Sequence, residues 1–127
     1  MHPVTLFLCA LCAFIAVAMG AFGAHGLQDI LTPDMLAVYK TAVTYQMWHA
    51  LGLGLIALLR AQHPEVNLLK YAAWTMFSGI ILFSGSLYLL SLSGLKWLGM
   101  MTPIGGVCFL AAWVFIMIFS IKSFKSN

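Results

Sequence analysis

Two histidines hold most of the chemistry this chain could do. The stretch "GAFGAHGLQDILTPD", residues 20–34, sets His25 among Gly20, Gly23 and Gly26 and follows it with Asp29 and Asp34. A histidine beside a carboxylate makes an acid–base pair that works near neutral pH, and either aspartate could partner His25. The second histidine, His49, stands four residues after Tyr45 and three after Gln46. On a helix that spacing gathers the three into one ledge. Ser84, Tyr88 and Ser91 form a similar row further on.

Other readings of the same residues carry less. His25 and His49 could be paired axial ligands of a haem iron in a helical bundle, but a bare histidine pair is a common occurrence. Cys9-x-x-Cys12 has the spacing of a redox or zinc pair, yet both thiols lie in an apolar run, where cysteine behaves as a small hydrophobe. Eight Met, three Cys and four His raise copper, but they are scattered and no ligand cluster forms. No nucleophile elbow, phosphate loop or metalloprotease helix occurs. The expectation is a protein with no catalytic residue, no metal and no cofactor of its own, and not an enzyme.

The elements that must position these residues follow from charge. The chain has 127 residues, 63% hydrophobic and 7% charged, against about 25% charged in an ordinary soluble domain. Residues 1–28, 41–59, 71–95 and 97–121 contain no Asp, Glu, Lys or Arg, and each run exceeds the roughly 18 residues that read as a spanning helix. No period-2 alternation appears, which argues against a barrel. The predicted fold is an all-α membrane protein. Its four transmembrane helices form an antiparallel bundle in one integral domain, 1–127, with spans at 4–23, 41–60, 68–92 and 103–121. Residues 4–19 resemble a signal-peptide core. The N-terminal end has no Lys or Arg and the apolar run goes on to Gly23, so an uncleaved first span is expected. No acidic residue lies inside a span, which disfavours ion transport. The net charge of +3 is spread over span ends with no nucleic-acid patch.

Local signals mark the joints. Thr32 can cap a helix, Pro33 suits its first position and Asp34 complements its positive end. The helix starting there either forms a short interfacial segment before the second span or continues into it. The connectors "HGLQDILTP" and "SGLKWLGMMTP" share Gly-Leu and a later Thr-Pro. That likeness fits a duplicated hairpin, or the same turn-and-cap chemistry used twice. Positive residues near span ends set the orientation: Arg60, Lys70, Lys122 and Lys125 on one side, Lys40 and Lys96 on the other, which favours cytoplasmic termini. His25, Tyr45, Gln46, His49, Ser86 and Tyr88 then fall toward the outer side, where they could line a ligand pocket. Gly20, Gly23, Gly26, Gly85, Pro103, Gly105 and Gly106 read as helix-packing and turn residues. The plainer alternative makes the polar residues helix-to-helix bonds.

Four ordered motifs carry a resemblance over nearly the whole chain: "GAFGAHGL", "YQMWHA", "FSGSLYLL" and "TPIGG". Together they resemble the YgdD-type family of small inner-membrane proteins, a domain-of-unknown-function family. The resemblance implies a four-span bacterial inner-membrane protein and implies no activity, substrate or cofactor. The leading expectation is a small accessory or assembly subunit in the lipid bilayer, working with a membrane-protein partner or a second copy. The alternative is binding or transport of a small apolar or amphipathic ligand (lipid, quinone or haem) at the outer side of the bundle.

Overall fold

A computed structural model describes residues 3–126. Four helical spans cross in sequence. Helix α1 is Pro3–His25 and α2 is Pro33–Gln62. The third span is built from α3 (Asn67–Gly79), a π-helical segment (Ile80–Ser84) and α4 (Gly85–Ser93). A 3-10 turn, Lys96–Met100, leads into α5, Thr102–Ser126. All four spans are long and apolar enough to cross a membrane.

The start of α2 shows why the chain turns where it does. Thr32 Oγ1 accepts the Met35 N–H at 3.2 Å, Pro33 occupies the first helical position and Asp34 lies in the first turn. This gives the orphan N–H groups of the first turn a partner. The helix then runs unbroken for 30 residues, so no separate interfacial helix precedes the span. Its beginning lies eight residues before Thr41, which places His49 near the middle of α2 rather than in one outer half. The second joint stops α4 with Gly94 in the left-handed conformation, φ 75°, which glycine adopts without steric penalty. Leu27 and Leu98 anchor the two connectors by burying their side chains.

The spans are not equivalent. The apolar windows of α2 and the third span are 39% and 44% buried, those of α1 and α5 17% each. The inner pair therefore forms the spine, with α1 packed on α2 and α5 packed on the third span. The two connectors also turn differently: among the described residues only Gly94, in the second, takes a left-handed conformation, and only the second contains a 3-10 turn. Small residues allow the close approach: Ala50, Ala72, Ala73 and Ala112 sit in the core with Leu53, Ile56, Met76 and Phe109. Without a hydrophobic drive between helices in lipid, such van der Waals packing carries association. Arg60 adds a clamp at the end of α2, donating from Nη1 to Thr5 Oγ1 at 2.8 Å across to the start of α1.

The π segment changes the phase of the third span. Its i→i+5 bonding, with the Gly85 N–H on the Ile80 carbonyl, takes up one extra residue relative to an α-turn. On either side of it, α3 packs mainly on α5 and also on α2, while α4 packs on α2.

Candidate functional site

The residues singled out from sequence fall into four separate settings. His25 ends α1 and is exposed. Thirteen residues separate it from Cys12, which lies level with Gln46, so His25 stands about 20 Å from the level of Gln46 along the helix axis. His25 therefore lies apart from Tyr45, Gln46 and His49, because α2 begins at Pro33 and carries those three deeper.

Gln46 and Tyr88 form a buried bridge. Gln46 Nε2 donates to the Cys12 carbonyl at 2.8 Å and the Tyr88 hydroxyl donates to Gln46 Oε1 at 2.6 Å, tying α1, α2 and α4 together. One level nearer the first connector, the Tyr39 hydroxyl donates to the Met19 carbonyl at 2.6 Å, and its ring meets Tyr88 edge-on at 5.3 Å. Ser84 lies on the same face of the third span as Tyr88 and donates to the Ala42 carbonyl at 2.8 Å. The serine row expected from spacing thus faces α2.

Ser86 belongs elsewhere. Two residues from Ser84 is about 200° around a helix, so Ser86 points toward α5. Its hydroxyl donates to the Phe83 carbonyl at 2.9 Å and lies 2.6 Å from Thr102 Oγ1, joining the end of the π segment to the start of α5. The glycines nearby divide in role. A Cβ on Gly105 would overlap the Phe83 backbone N, and one on Gly79 would lie 2.5 Å from the Phe109 ring. Gly20 and Gly23 let α1 approach Val43 and Tyr39, while Gly26 sits against Phe22 within the turn. Gly85 has no atom within 4 Å of its Cβ position, so packing does not account for it. Pro103 and Gly106 line a cleft.

That cleft is where Tyr45 and His49 face. It lies between α2, the π segment and α5, with a volume of about 500 Å³, and is walled by Tyr45, His49, Phe83, Phe109 and Trp113. Val107 and Leu110, both largely exposed, form its rim toward lipid. The rings interlock: His49 stacks on Phe109 with centroids 3.5 Å apart and 8° between planes, and Tyr45 stacks on Phe83 at 4.6 Å. His49 is 6% exposed and its Nδ1 lies 2.7 Å from the Tyr45 carbonyl. A carbonyl only accepts, so this partner assigns the proton to Nδ1 and leaves Nε2 of the neutral ring as an acceptor. Gln46, only about 60° away on the same helix, therefore serves a different neighbour from His49, and the expected single ledge is two.

Phe83, Phe109 and Trp113 were not legible as site residues, since an aromatic in an apolar run reads as lipid-facing or core. The signal that points to Phe83 is its place between Gly79, Gly85 and Gly105. Cys9, Cys12 and Cys108 are free thiols, and among the described residues no three His, Cys, Asp or Glu gather as a metal site.

The family described as "Protein of unknown function (DUF423)" matches residues 19–106. The chain belongs to the DUF423 family. This is the family that its four motifs resemble, and it assigns no activity. The matched stretch opens at Met19, whose carbonyl receives Tyr39, and closes at Gly106 in the cleft. DUF423 relatives are named as membrane proteins. The UPF0382 membrane protein YwdK of Bacillus subtilis is 44% identical over 119 residues, 94% of this chain and 97% of its own. A UPF0382 membrane protein of Staphylococcus epidermidis is 45% identical over 119 residues, covering 94% and 96%. One from Staphylococcus aureus is 47% identical over 113 residues, covering 89% and 91%. No solved structure matches. This DUF423 protein is an integral membrane protein of an uncharacterised family.

Proposed function

We propose that this DUF423 protein is a non-enzymatic accessory or assembly subunit of the bacterial inner membrane. The observation that carries the reading is the destination of its intramembrane polar groups. Tyr39, Gln46, Ser84, Ser86 and Tyr88 each bond a neighbouring helix. Groups used this way hold the bundle as a unit and leave α1 and α5 with apolar outward faces, surfaces on which a further membrane helix can pack. Purified in mild detergent, the full-length protein is expected to run as a complex with itself or with a second membrane protein. A strictly monomeric species, with no co-purifying polypeptide in native mass spectra across several detergents, overturns the reading.

The same proposal places both termini in the cytoplasm. Arg60, Lys70, Lys122 and Lys125 lie at one end of the antiparallel spans, against Lys40 and Lys96 toward the other. An alkaline phosphatase fused after Lys125 is expected to be inactive and one fused within residues 27–31 active. The reverse pattern reverses the orientation.

A second reading is favoured by one feature that helix association does not need. His49 is buried, yet it lines an aromatic-walled cleft and its Nε2 meets no donor among the described residues. On this reading the subunit holds a small apolar or amphipathic ligand there. Such sites in helical bundles lie between helices and combine apolar walls with few polar groups.

A further inference from the structure

We propose that the cleft between α2 and α5 binds a membrane-soluble hydroxy-aromatic ring, a quinol or phenol, whose hydroxyl donates to His49 Nε2. This rests on the second reading above and names the ligand class of that same site.

Three observations select the class. First, the polar anchor is an acceptor. The Tyr45 carbonyl takes the Nδ1 proton at 2.7 Å, so a ligand must bring the hydrogen to Nε2, and an occupant with only carbonyl oxygens cannot. No donor among the described residues meets Nε2, although His49 is only 6% exposed. Second, the walls are aromatic. Tyr45, Phe109 and Trp113 pack around His49, with Phe83 against Tyr45 and Phe109, and aromatic surfaces pair with a planar ring in offset or edge-on geometry. Third, the lining contains no lysine or arginine. A haem would bring two propionates, and a fatty acid a carboxylate, into a wall that offers no cation to meet them.

Size and access agree. About 500 Å³ falls within the range of small-molecule sites, roughly 300–1,000 Å³. From Pro103 to Trp113 the cleft follows ten residues of α5, about 15 Å, long enough for a ring and the first units of an apolar tail. Val107 and Leu110 at the rim let the tail leave into lipid.

The test uses the full-length protein in phospholipid nanodiscs, titrated with a decyl-substituted benzoquinol and, separately, with its oxidised quinone. Bound ligand is counted by native mass spectrometry. The quinol is expected to bind saturably and about tenfold more tightly than the quinone, which presents an acceptor to an acceptor. His49→Leu is expected to bring the quinol down to the affinity of the quinone. Should that variant fail to accumulate, His49→Gln serves, because an amide can both donate and accept and so removes the preference. Gly106→Leu, filling the cleft from α5, is expected to abolish binding of both forms. Equal affinity of the two forms in the unmodified protein overturns the proposal, as does a quinol preference that survives both His49 variants or absence of saturable binding. A parallel titration with dodecanol separates the two levels of inference. If Gly106→Leu removes saturable dodecanol binding while neither ring compound binds, the cleft binds ligands and the ring assignment is wrong. If no probe binds saturably, both fall.

Discussion

Gly105→Ala is expected to destabilise the protein by about 3 kcal/mol, the upper end of what overpacking ordinarily costs, while Gly106→Ala one residue on stays near neutral. The contrast comes from what each added methyl would meet. At Gly105 it would overlap the backbone N of Phe83 and lie 2.7 Å from its Cα, atoms held by the π segment that cannot rotate away. At Gly106 the nearest atom is Phe83 Cδ2 at 3.9 Å, an ordinary contact. Relief at Gly105 requires α5 to move off the third span, which also strains the Ser86–Thr102 contact of 2.6 Å. Reversible unfolding in mixed detergent micelles measures both variants. Equal losses would mean that α5 does not approach the π segment as described.

Gly23→Ala is the second large effect, expected at about 2 kcal/mol. Its methyl would lie 2.5 Å from Tyr39 Cε1. A tyrosine ring can often swing aside, but this one is fully buried, bonded through its hydroxyl to Met19 and set edge-on against Tyr88. Gly20→Ala, with 3.3 Å to the Val43 Cγ1, is expected to cost less. Combining Gly23→Ala with Tyr39→Leu should cost less than the sum of the two, because the second change removes the ring the first collides with. Strict additivity in the same unfolding assay would show that the two residues do not share a contact.

The architecture was readable because lipid imposes a simple rule. Charge cannot lie within a span at low cost, so the gaps between Asp29, Lys40, Arg60, Lys70, Lys96 and Lys122 outline four helices. Thr32-Pro33-Asp34 was legible for an equally local reason, since capping depends on residues within one turn. The family was legible from four motifs in order. Site geometry was not, and the causes are physical. A charge-free window locates the apolar run and not the first helical turn, so beginning the second span at Thr41 instead of Pro33 brought His49 too near His25. Periodicity assumes a constant phase, and the Ile80–Ser84 segment breaks it between Gly79 and Gly85. Spacing groups Tyr45, Gln46 and His49, but cannot say that Gln46 meets α1 and α4 while its neighbours meet α5. Phe83, Phe109 and Trp113 have no polar label by which a greasy sequence could single them out.

The arrangement of inner and outer spans also sets an order in time. Chains enter the membrane from the N-terminus as they are made. Helix α1, α2 and the third span can therefore exchange the Gln46, Tyr39 and Tyr88 hydrogen bonds before the rest of the chain is present. Phe109, the ring on which His49 lies, arrives with α5. Until that last helix inserts, His49 and the face that the third span turns to α5 stay uncovered, and the cleft is completed only when α5 is in place.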